Sequence, residues 1–264
     1  MDFGDLHTCG NSARTGRFLD AHPYLSRENV RAASVPLGIS SGISVVDVGC
    51  GTGDGTRALA MAVGPAGHLL GVDPDPLLLA RAAAKGTMPQ LAWLQACGNS
   101  IHAPDSSYHV CWLDRVLAHC TVPSEVIAEA RRLLKPGGRV FSCEIEYSAI
   151  SFATSTETLR VMRDQYVHSI RSPDVASQLS SVLSSEFESA LCTQRREELL
   201  IKTRGELSRA LALRLWSRAQ LARGSVTANL LQSASRDLAA LEHAGALRVS
   251  IPIRWTLMWT SPGS

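Results

Sequence analysis

The sequence predicts the α/β class, with a doubly wound sheet that carries helices on both faces. Short apolar runs alternate with stretches of helical spacing from about residue 28 to about residue 147. This alternation is typical of parallel strands joined by helical crossovers. The chain has 264 residues, of which 45% are hydrophobic and 19% are charged, so it can bury one large core. No repeat or low-complexity linker divides the chain, and we expect a single domain over residues 1–264.

The first half of the chain supplies five predicted strands. Each is a short run rich in β-branched or aromatic residues. The runs are ISVVDVG (43–49), HLLGVD (68–73), LAWLQA (91–96), YHVCWLD (108–114) and RVFSCEIEY (139–147). Helices are expected between them, such as SEVIAEARRLLK (124–135), with Ser124 as its cap and PGG (136–138) as a sharp stop.

The second half has a different pattern, with long helical stretches and fewer strands. Helices are predicted over 155–191 and 206–244, and EELLIKT (197–203) is predicted as a strand between them. The final strand covers 246–259, where Pro252 indicates an edge strand or a bulge. We therefore expect four parts within the domain: a helical N-terminal cap (1–40), a core (41–147), a helical lid with one strand (148–245) and a C-terminal strand (246–264).

Composition excludes several partner classes. The 26 basic and 24 acidic residues give a net charge of +2, which is too weak a bias to favour nucleic acid or an anionic membrane. The opening segment has no apolar signal core, and no run of about 18 apolar residues occurs. The seven cysteines form no C-x-x-C pair, which disfavours zinc ribbons and disulfide frameworks. We expect a cytoplasmic protein without a metal, either a monomer or a homodimer.

A glycine-rich loop follows the first predicted strand, in VVDVGCGTGDGT (45–56). In doubly wound sheets, ligands bind beyond the carboxyl ends of the strands. Glycines at that position permit positive φ and let a ligand approach the backbone. No lysine follows in the P-loop position, and the spacing is G-x-G-x-G instead of the dinucleotide G-x-G-x-x-G. The adjacent Asp54 would repel a pyrophosphate but would suit a ligand that carries an ammonium or sulfonium cation.

A second carboxylate narrows the ligand class. Asp73 ends the second predicted strand, 20 residues after Gly53, where an acidic side chain can accept hydrogen bonds from both hydroxyls of a ribose. An adenosine joined to a cationic amino acid fits the loop, its acidic surroundings and Asp73 together. That description corresponds to S-adenosylmethionine.

These residues resemble the class I S-adenosylmethionine-dependent methyltransferases. The segment DVGCGTG (47–53) is similar to their glycine-rich motif, and Asp73 matches their ribose-binding acidic residue. Residues 103–120 and EVIAEARRLLKPGGRV (125–140) are similar to the segments around the fourth and fifth strands of the ubiquinone/menaquinone-biosynthesis-like branch. The resemblance covers roughly residues 40–147. It implies a Rossmann-like sheet of seven strands in the order 3-2-1-4-5-7-6, with the last strand antiparallel.

The resemblance also implies a set of cofactor-binding residues. They are Asp47, Gly49, Cys50, Gly51, Gly53, Asp73, Pro74, Cys97, Gly98, Asn99, Leu113 and Asp114. Cys97 stands where the family usually has the acidic residue that accepts from the adenine amino group, and Asn99 is a candidate to replace it. Cys50 is expected to pack and not to act as a nucleophile, because nothing near it in sequence would lower the pKa of its thiol.

His119 is the candidate general base, because it lies just beyond the end of the fourth strand. A neutral imidazole there could take a proton from an acceptor hydroxyl or amine; the alternative is a residue that caps or packs the next helix. Tyr24, Tyr147 and Tyr166 are candidate acceptor-binding residues, with structural roles as the alternative. The arginines of the second half are expected to be solvated, although one or two could contact an acidic acceptor; they are Arg195, Arg196, Arg204, Arg209, Arg214, Arg218 and Arg223.

The predicted function is methyl transfer from S-adenosylmethionine to a small molecule in secondary or cofactor metabolism. Oxygen is the first choice of acceptor atom, followed by nitrogen or carbon. The alternative is a protein that keeps the fold and the cofactor but catalyses another reaction, such as a cyclisation, or none. An NAD-dependent oxidoreductase is disfavoured by the glycine spacing.

Overall fold

A mixed sheet of eight strands forms the centre of the chain. The computed structural model describes residues 12–22, 24–187 and 191–260, apart from the side chains of residues 24, 25, 180, 184–186, 191, 192 and 214. Five parallel strands come from the first half: β1 (Ser44–Val48), β2 (His68–Asp73), β3 (Leu91–Gln95), β4 (Tyr108–Asp114) and β5 (Leu134–Ile145). They lie in the order β3-β2-β1-β4-β5, so the carboxyl ends of β1 and β4 meet at the centre of one edge.

Five helices accompany these strands: α1 (Ser12–Ala21), α2 (Tyr24–Ala33), α3 (Asp54–Val63), α4 (Pro76–Ala84) and α5 (Pro123–Leu133). Local sequence explains where α4 begins, because the Asp75 side chain accepts from two backbone N–H groups of its first turn and Pro76 occupies the first position. The predicted cap Ser124 is wrong. Val122 precedes the first residue of α5, which is Pro123, and no side chain caps that helix.

The predicted stop at PGG (136–138) is also wrong in its position. Helix α5 ends at Leu133, and β5 begins at the next residue, so the prolyl-glycyl segment lies inside the strand. The ladder between β4 and β5 is irregular there, because its register shifts between Tyr108 and Val110. The shift shows how the sheet accommodates a proline and two glycines, which pair poorly in a regular strand.

The second half adds three strands and five helices. In chain order they are β6 (Ser151–Phe152), α6 (Glu157–His168), α7 (Val175–Glu186), β7 (Leu191–Ile201), α8 (Arg204–Ala210), α9 (Leu213–Ala222), α10 (Ala228–His243) and β8 (Val249–Trp259). Each predicted helical stretch is therefore interrupted. The predicted strand 197–203 begins earlier than expected, at Leu191.

Strand β8 lies between β5 and β7 and is antiparallel to both. Without the two-residue β6, the order is β3-β2-β1-β4-β5-β8-β7, so the predicted 3-2-1-4-5-7-6 sheet with an antiparallel last strand is confirmed. The expectation that Pro252 marks an edge or a bulge is wrong. It lies opposite Glu198 inside the sheet, next to the point where pairing with β5 ends at Ile253.

The sheet is buried on both faces, as a parallel sheet covered by helices must be. Along β1, Val45 packs into one apolar cluster while Val46 and Val48 pack into the other. One cluster lies under α2 and α3 and contains stacked Trp112 and Phe141, with ring centroids 3.8 Å apart. The other lies under α5 and the lid helices. The rigid sheet therefore fixes the positions of the loops at its carboxyl edge.

Candidate active site

A cleft opens at the carboxyl ends of β1, β2, β4 and β5, where ligands bind in doubly wound sheets. One side, here called the cofactor side, consists of residues 48–52, 54, 55, 73, 74, 98 and 114. The opposite acceptor side consists of residues 119, 120, 145, 147, 166, 209–212 and 215. Residues of α1 and α2 line the cleft between them. The two sides thus come from separate parts of the sequence.

The glycine loop adopts left-handed backbone at all three glycines. The φ angles are 73° at Gly49, 55° at Gly51 and 76° at Gly53, a conformation that strains residues with a side chain. A Cβ on Gly49 would lie 2.5 Å from Val116, and one on Gly53 would lie 2.4 Å from the ring of Trp93. Among the described residues, a Cβ on Gly51 would contact only Leu19, at 3.2 Å. Gly49 and Gly53 thus permit close packing within the protein, whereas Gly51 presents bare backbone to the cleft.

Asp73 connects the glycine loop to the end of β2. Its Oδ2 accepts a hydrogen bond from the Gly51 backbone N–H at 2.8 Å, and its Oδ1 accepts one from Asp75 N at 2.9 Å. The residue is buried and lines the cleft. Each carboxylate oxygen can accept more than one hydrogen bond, so Asp73 can hold the loop and still accept from a ligand hydroxyl.

Asp47 lies behind the loop and does not line the cleft. Its carboxylate accepts from the Thr56 hydroxyl at 2.6 Å. Burial raises the pKa of the Asp47 carboxyl to about 7, although the Thr56 hydrogen bond acts in the opposite direction. The negative charges of Asp114 and Asp73 raise the pKa further. The cofactor side therefore concentrates negative charge that a bound cation would relieve.

Asp114 ends β4 and lines the cleft. Its Oδ1 accepts from Asn29 of α2 at 2.9 Å and from Arg115 Nε at 3.0 Å. Its Oδ2 is buried and has no hydrogen-bond partner among the described residues. A buried carboxylate oxygen without a donor is costly. An ammonium group would be a suitable partner for it.

Asp54 has a different role from the one that the sequence suggested. From the sequence, Asp54 is expected to be an uncompensated charge beside a cationic ligand. In the structure, Asp54 lies 2.6 Å from Lys85 Nζ and 3.1 Å from Arg27 Nη2. Protein cations already balance this carboxylate, so Asp73 and Asp114 carry the acidic character of the cofactor side.

The segment predicted to contact adenine only partly reaches the cleft. Pro74 and Gly98 line it, whereas Cys97 and Asn99 do not. Cys97 forms an isolated bridge with Ser100. Asn99 is half-buried, and its Nδ2 donates to Glu125 of α5 at 2.7 Å. The structure therefore provides no polar adenine contact from either residue, and both roles stay predictions.

The turn after β4 carries the candidate base. Arg115 has a φ of 59°, which strains a residue that is not glycine. Its backbone N–H donates to Cys143 O at 2.8 Å, and its Nη2 donates to Ser26 Oγ at 2.8 Å. A short 3-10 helix, Leu117–His119, follows and places His119 in the cleft.

Glu144 of β5 holds this turn from below, and the sequence argument did not identify it. Its Oε1 accepts from the N–H groups of Val116 and Leu117 at 2.9 and 2.8 Å, and its Oε2 accepts from Ala118 N at 3.4 Å. Burial raises the pKa of the Glu144 carboxyl to about 7, against the opposing effect of these donors. A glutamate inside the apolar run VFSCEI was the available signal, because a buried charge needs specific partners.

An aromatic row extends from His119 across the acceptor side. The His119 and Tyr147 ring centroids are 6.3 Å apart, those of Tyr147 and Tyr166 are 6.0 Å apart, and Tyr166 lies 5.3 Å from Trp216. Tyr147 and Tyr166 both line the cleft, and burial raises the pKa of both phenols. Tyr24 is the first residue of α2, but its side chain lies outside the described part of the chain.

The structure brings together most of the residues named from the sequence. Those that line the cleft are Gly49, Cys50, Gly51, Asp73, Pro74, Gly98, Asp114, His119, Tyr147 and Tyr166. Those that lie outside its lining are Asp47, Gly53, Cys97, Asn99 and Leu113. Burial raises the pKa of the Cys50 thiol, in agreement with a packing role. Arg209 belongs to the lining, although it was grouped with the solvated arginines.

The strand order is that of the Rossmann-like methyltransferase fold, and comparisons with known proteins agree with it. A protein-family model described as a methyltransferase domain matches residues 46–142. The demethylmenaquinone methyltransferase of Tropheryma whipplei (strain Twist) is 33% identical over 117 residues, which cover 44% of this chain and 48% of that protein. The chain spans about a third to a half of the length of the curated relatives it matches.

Solved structures share the fold at low sequence identity. The YcgJ protein of Bacillus subtilis has a TM-score of 0.62 and 14% identity, over 89% of this chain and 99% of that chain. The [4+2]-cyclase SpnF has a TM-score of 0.57 and 18% identity, over 90% of this chain and 81% of that chain. Residues 46–142 are thus similar to a methyltransferase domain, and the fold as a whole is similar to that of solved methyltransferase-type structures.

The described residues contain no group of three or more His, Cys, Asp or Glu side chains that could hold a metal ion. They also contain no helix that is long and apolar enough to cross a membrane.

Proposed function

We propose that the chain transfers a methyl group from S-adenosylmethionine to a small-molecule acceptor in the cytoplasm, with oxygen as the first choice of acceptor atom. The observation that carries the proposal is the buried Oδ2 of Asp114, which lines the cleft without a partner among the described residues. It lies on the same side as the bare backbone of Gly51 and the carboxylate of Asp73. This combination suits a ligand with an ammonium group at one end and ribose hydroxyls at the other.

The cofactor side offers a contact for each polar part of that ligand. Asp73 would accept from the ribose hydroxyls while it keeps the glycine loop in place. Asp114 would accept from the ammonium group, and Asn29 and Arg115 hold its other oxygen in position. The raised pKa of Asp47 favours a cationic ligand over a neutral one.

Methyl transfer requires few further contributions from the protein. S-adenosylmethionine, when bound, supplies an electrophilic methyl group, and the acceptor's lone pair forms the new bond as the carbon–sulfur electron pair stays on sulfur. The chain has to hold the acceptor atom about 3 Å from that carbon and in line with it. His119 would take the proton from an acceptor hydroxyl. Glu144 would keep His119 in place through the backbone of its turn.

A mass-spectrometric assay tests the reaction. The protein is incubated with S-adenosylmethionine and a panel of hydroxylated aromatic compounds, and products heavier by one methyl group are sought together with equimolar S-adenosylhomocysteine. We expect at least one methylated product, and slower turnover by His119→Ala with unchanged cofactor affinity. An unchanged rate in that variant would leave His119 with a structural role.

A second candidate is a non-methylating reaction on the same fold. The structural likeness to a [4+2]-cyclase favours it, as does the absence of Cys97 and Asn99 from the cleft lining. Binding of the cofactor without any S-adenosylhomocysteine formation would support this second candidate against methyl transfer.

A further inference from the structure

The two sides of the cleft carry opposite charge. Among the described residues, three carboxylates line the cleft, and none is on the acceptor side; they are Asp54, Asp73 and Asp114. The acceptor side is mostly apolar, with Ile145, Leu211 and Leu215 and the two tyrosine rings. Its charged side chain is Arg209, and His119 lines the same side. A molecule bound on the acceptor side would therefore contact mainly apolar side chains and one cationic side chain, that of Arg209 at the cleft entrance.

Buried contacts hold the backbone that follows Arg209. Arg209 lies in the last turn of α8, two residues before Leu211. The carbonyl of Leu211 accepts from the Tyr166 hydroxyl at 2.8 Å, and this hydrogen bond is buried. Trp216 packs edge-on against Tyr166, and its Nε1 donates to Ser169 Oγ at 2.8 Å. These contacts hold the junction of α8 and α9 over the cleft. The backbone of Arg209 is therefore held beside the cleft as well.

The Arg209 guanidinium is available to a ligand. The residue is exposed, and the described carboxylate that it is seen to influence is Glu206, whose pKa its charge helps to lower. The acid nearest along the helix is Glu206, which is already engaged: its carboxylate accepts from the backbone N–H groups of Lys202 and Thr203 in a capping box. Arg115, the other arginine of the cleft, pairs with Asp114.

We propose that the acceptor is an apolar molecule that carries one carboxylate, which Arg209 binds at the mouth of the cleft. This inference rests on the proposed function and names its substrate class. The planar guanidinium matches a carboxylate with two parallel hydrogen bonds. The apolar wall covers the body of the acceptor, and its nucleophilic atom reaches the cofactor side beside His119. Acids on the cofactor side repel the carboxylate, so the charges also set the orientation of the acceptor.

Calorimetry with a matched pair of ligands tests the inference without turnover. The protein is saturated with S-adenosylhomocysteine and titrated with 3-hydroxy-2-naphthoic acid and, separately, with its primary amide. We expect the acid to bind up to about fivefold more tightly than the amide, because solvent weakens an ion pair with an exposed arginine. Arg209→Gln should remove the preference, and Arg209→Lys should restore part of it.

Arg218→Gln is the matched control, since Arg218 is exposed on α9 and does not line the cleft. It should leave the preference unchanged. Equal affinity for acid and amide, binding of neither, or a preference that survives in Arg209→Gln overturns the inference. Failure of S-adenosylhomocysteine to bind at all would instead remove the proposed function, so the two failures are distinguishable.

Discussion

The cofactor side and the acceptor side of the cleft differ in how the chain builds them. The cofactor side comes from strand ends and one glycine loop, and its polar groups hold each other through short backbone contacts such as Gly51 to Asp73. The acceptor side comes from helix junctions far apart in sequence, and mainly side-chain packing holds it together. A local motif therefore defines one side, whereas tertiary packing defines the other. The cofactor side should therefore tolerate few substitutions, and the acceptor side should determine which acceptor molecule binds.

The largest expected effect is on the cofactor side. Asp73→Ala removes the proposed ribose contact and also leaves the Gly51 N–H without its acceptor. We expect the affinity for S-adenosylmethionine to fall by at least about 100-fold, as the loss of hydrogen bonds to a charged group would produce. Titration calorimetry measures it, with Asp105→Ala, an exposed carboxylate outside the cleft, as the control. Equal affinity in Asp73→Ala would remove the ribose assignment.

The next effect concerns the turn that joins the two sides. Glu144→Ala leaves the backbone N–H groups of Val116, Leu117 and Ala118 without acceptors in a buried place. We expect the free energy of unfolding to fall by about 3 kcal/mol, measured by urea titration. Glu144→Gln keeps an acceptor oxygen and should lose less. If both variants are as stable as the wild type, Glu144 does not hold the turn.

The third prediction is a pH dependence that arises behind the cofactor side, at Asp47. The pKa of Asp47 is about 7 in the folded protein against an ordinary value of 3.8. Because its pKa is higher in the folded protein, the Asp47 carboxyl holds its proton more tightly there, and its ionisation opposes folding. The contribution of Asp47 to the free energy of unfolding therefore falls as pH rises from about 4 to about 7. A bound cation lowers that pKa. The affinity for S-adenosylmethionine should therefore rise up to about tenfold between about pH 6 and about pH 8.

Asp47→Asn isolates this group from Glu144, whose pKa is also about 7. The variant should flatten the pH dependence of affinity and should be more stable than the wild type at about pH 8, by roughly 2 kcal/mol. Thermal unfolding at two pH values provides the second measurement. A pH slope that is identical in Asp47→Asn would assign the effect to another group.

The smallest expected effect is at the adenine end. Asn99 is half-buried and donates a hydrogen bond to Glu125 outside the cleft lining. Asn99→Ala should therefore change the affinity for S-adenosylmethionine by no more than about twofold. A tenfold loss would return Asn99 to the adenine role that the sequence suggested, and would require this segment to rearrange on binding.

The parallel half of the fold could be predicted closely from the sequence. The predicted bounds of β2 and β4 agree with the structure to the residue, because strong apolar runs lie between turn residues. The breaks in the helical lid were missed. The left-handed residue Ala212, between α8 and α9, carries no local signal for its conformation, and its hydrogen-bonded neighbour Leu211 depends on a tyrosine 45 residues away.

Some residues of the candidate site could likewise be predicted from the sequence, whereas others could not. Gly51, Asp73 and Asp114 could be named because their spacing follows the strand ends, where the sheet brings them together. The role of Glu144 and the position of Arg209 depend on partners that no local pattern reveals. The interpretation of Asp54 was wrong for the same reason, since Lys85 and Arg27, its ion-pair partners, are distant in sequence.

The central claim is that the cofactor side binds the sulfonium cofactor, and titration calorimetry of the wild-type protein tests it most directly. S-adenosylmethionine, S-adenosylhomocysteine and NAD are titrated separately under the same conditions. We expect micromolar binding of both sulfur ligands and none of NAD. Binding of NAD, or of none of the three, would contradict it.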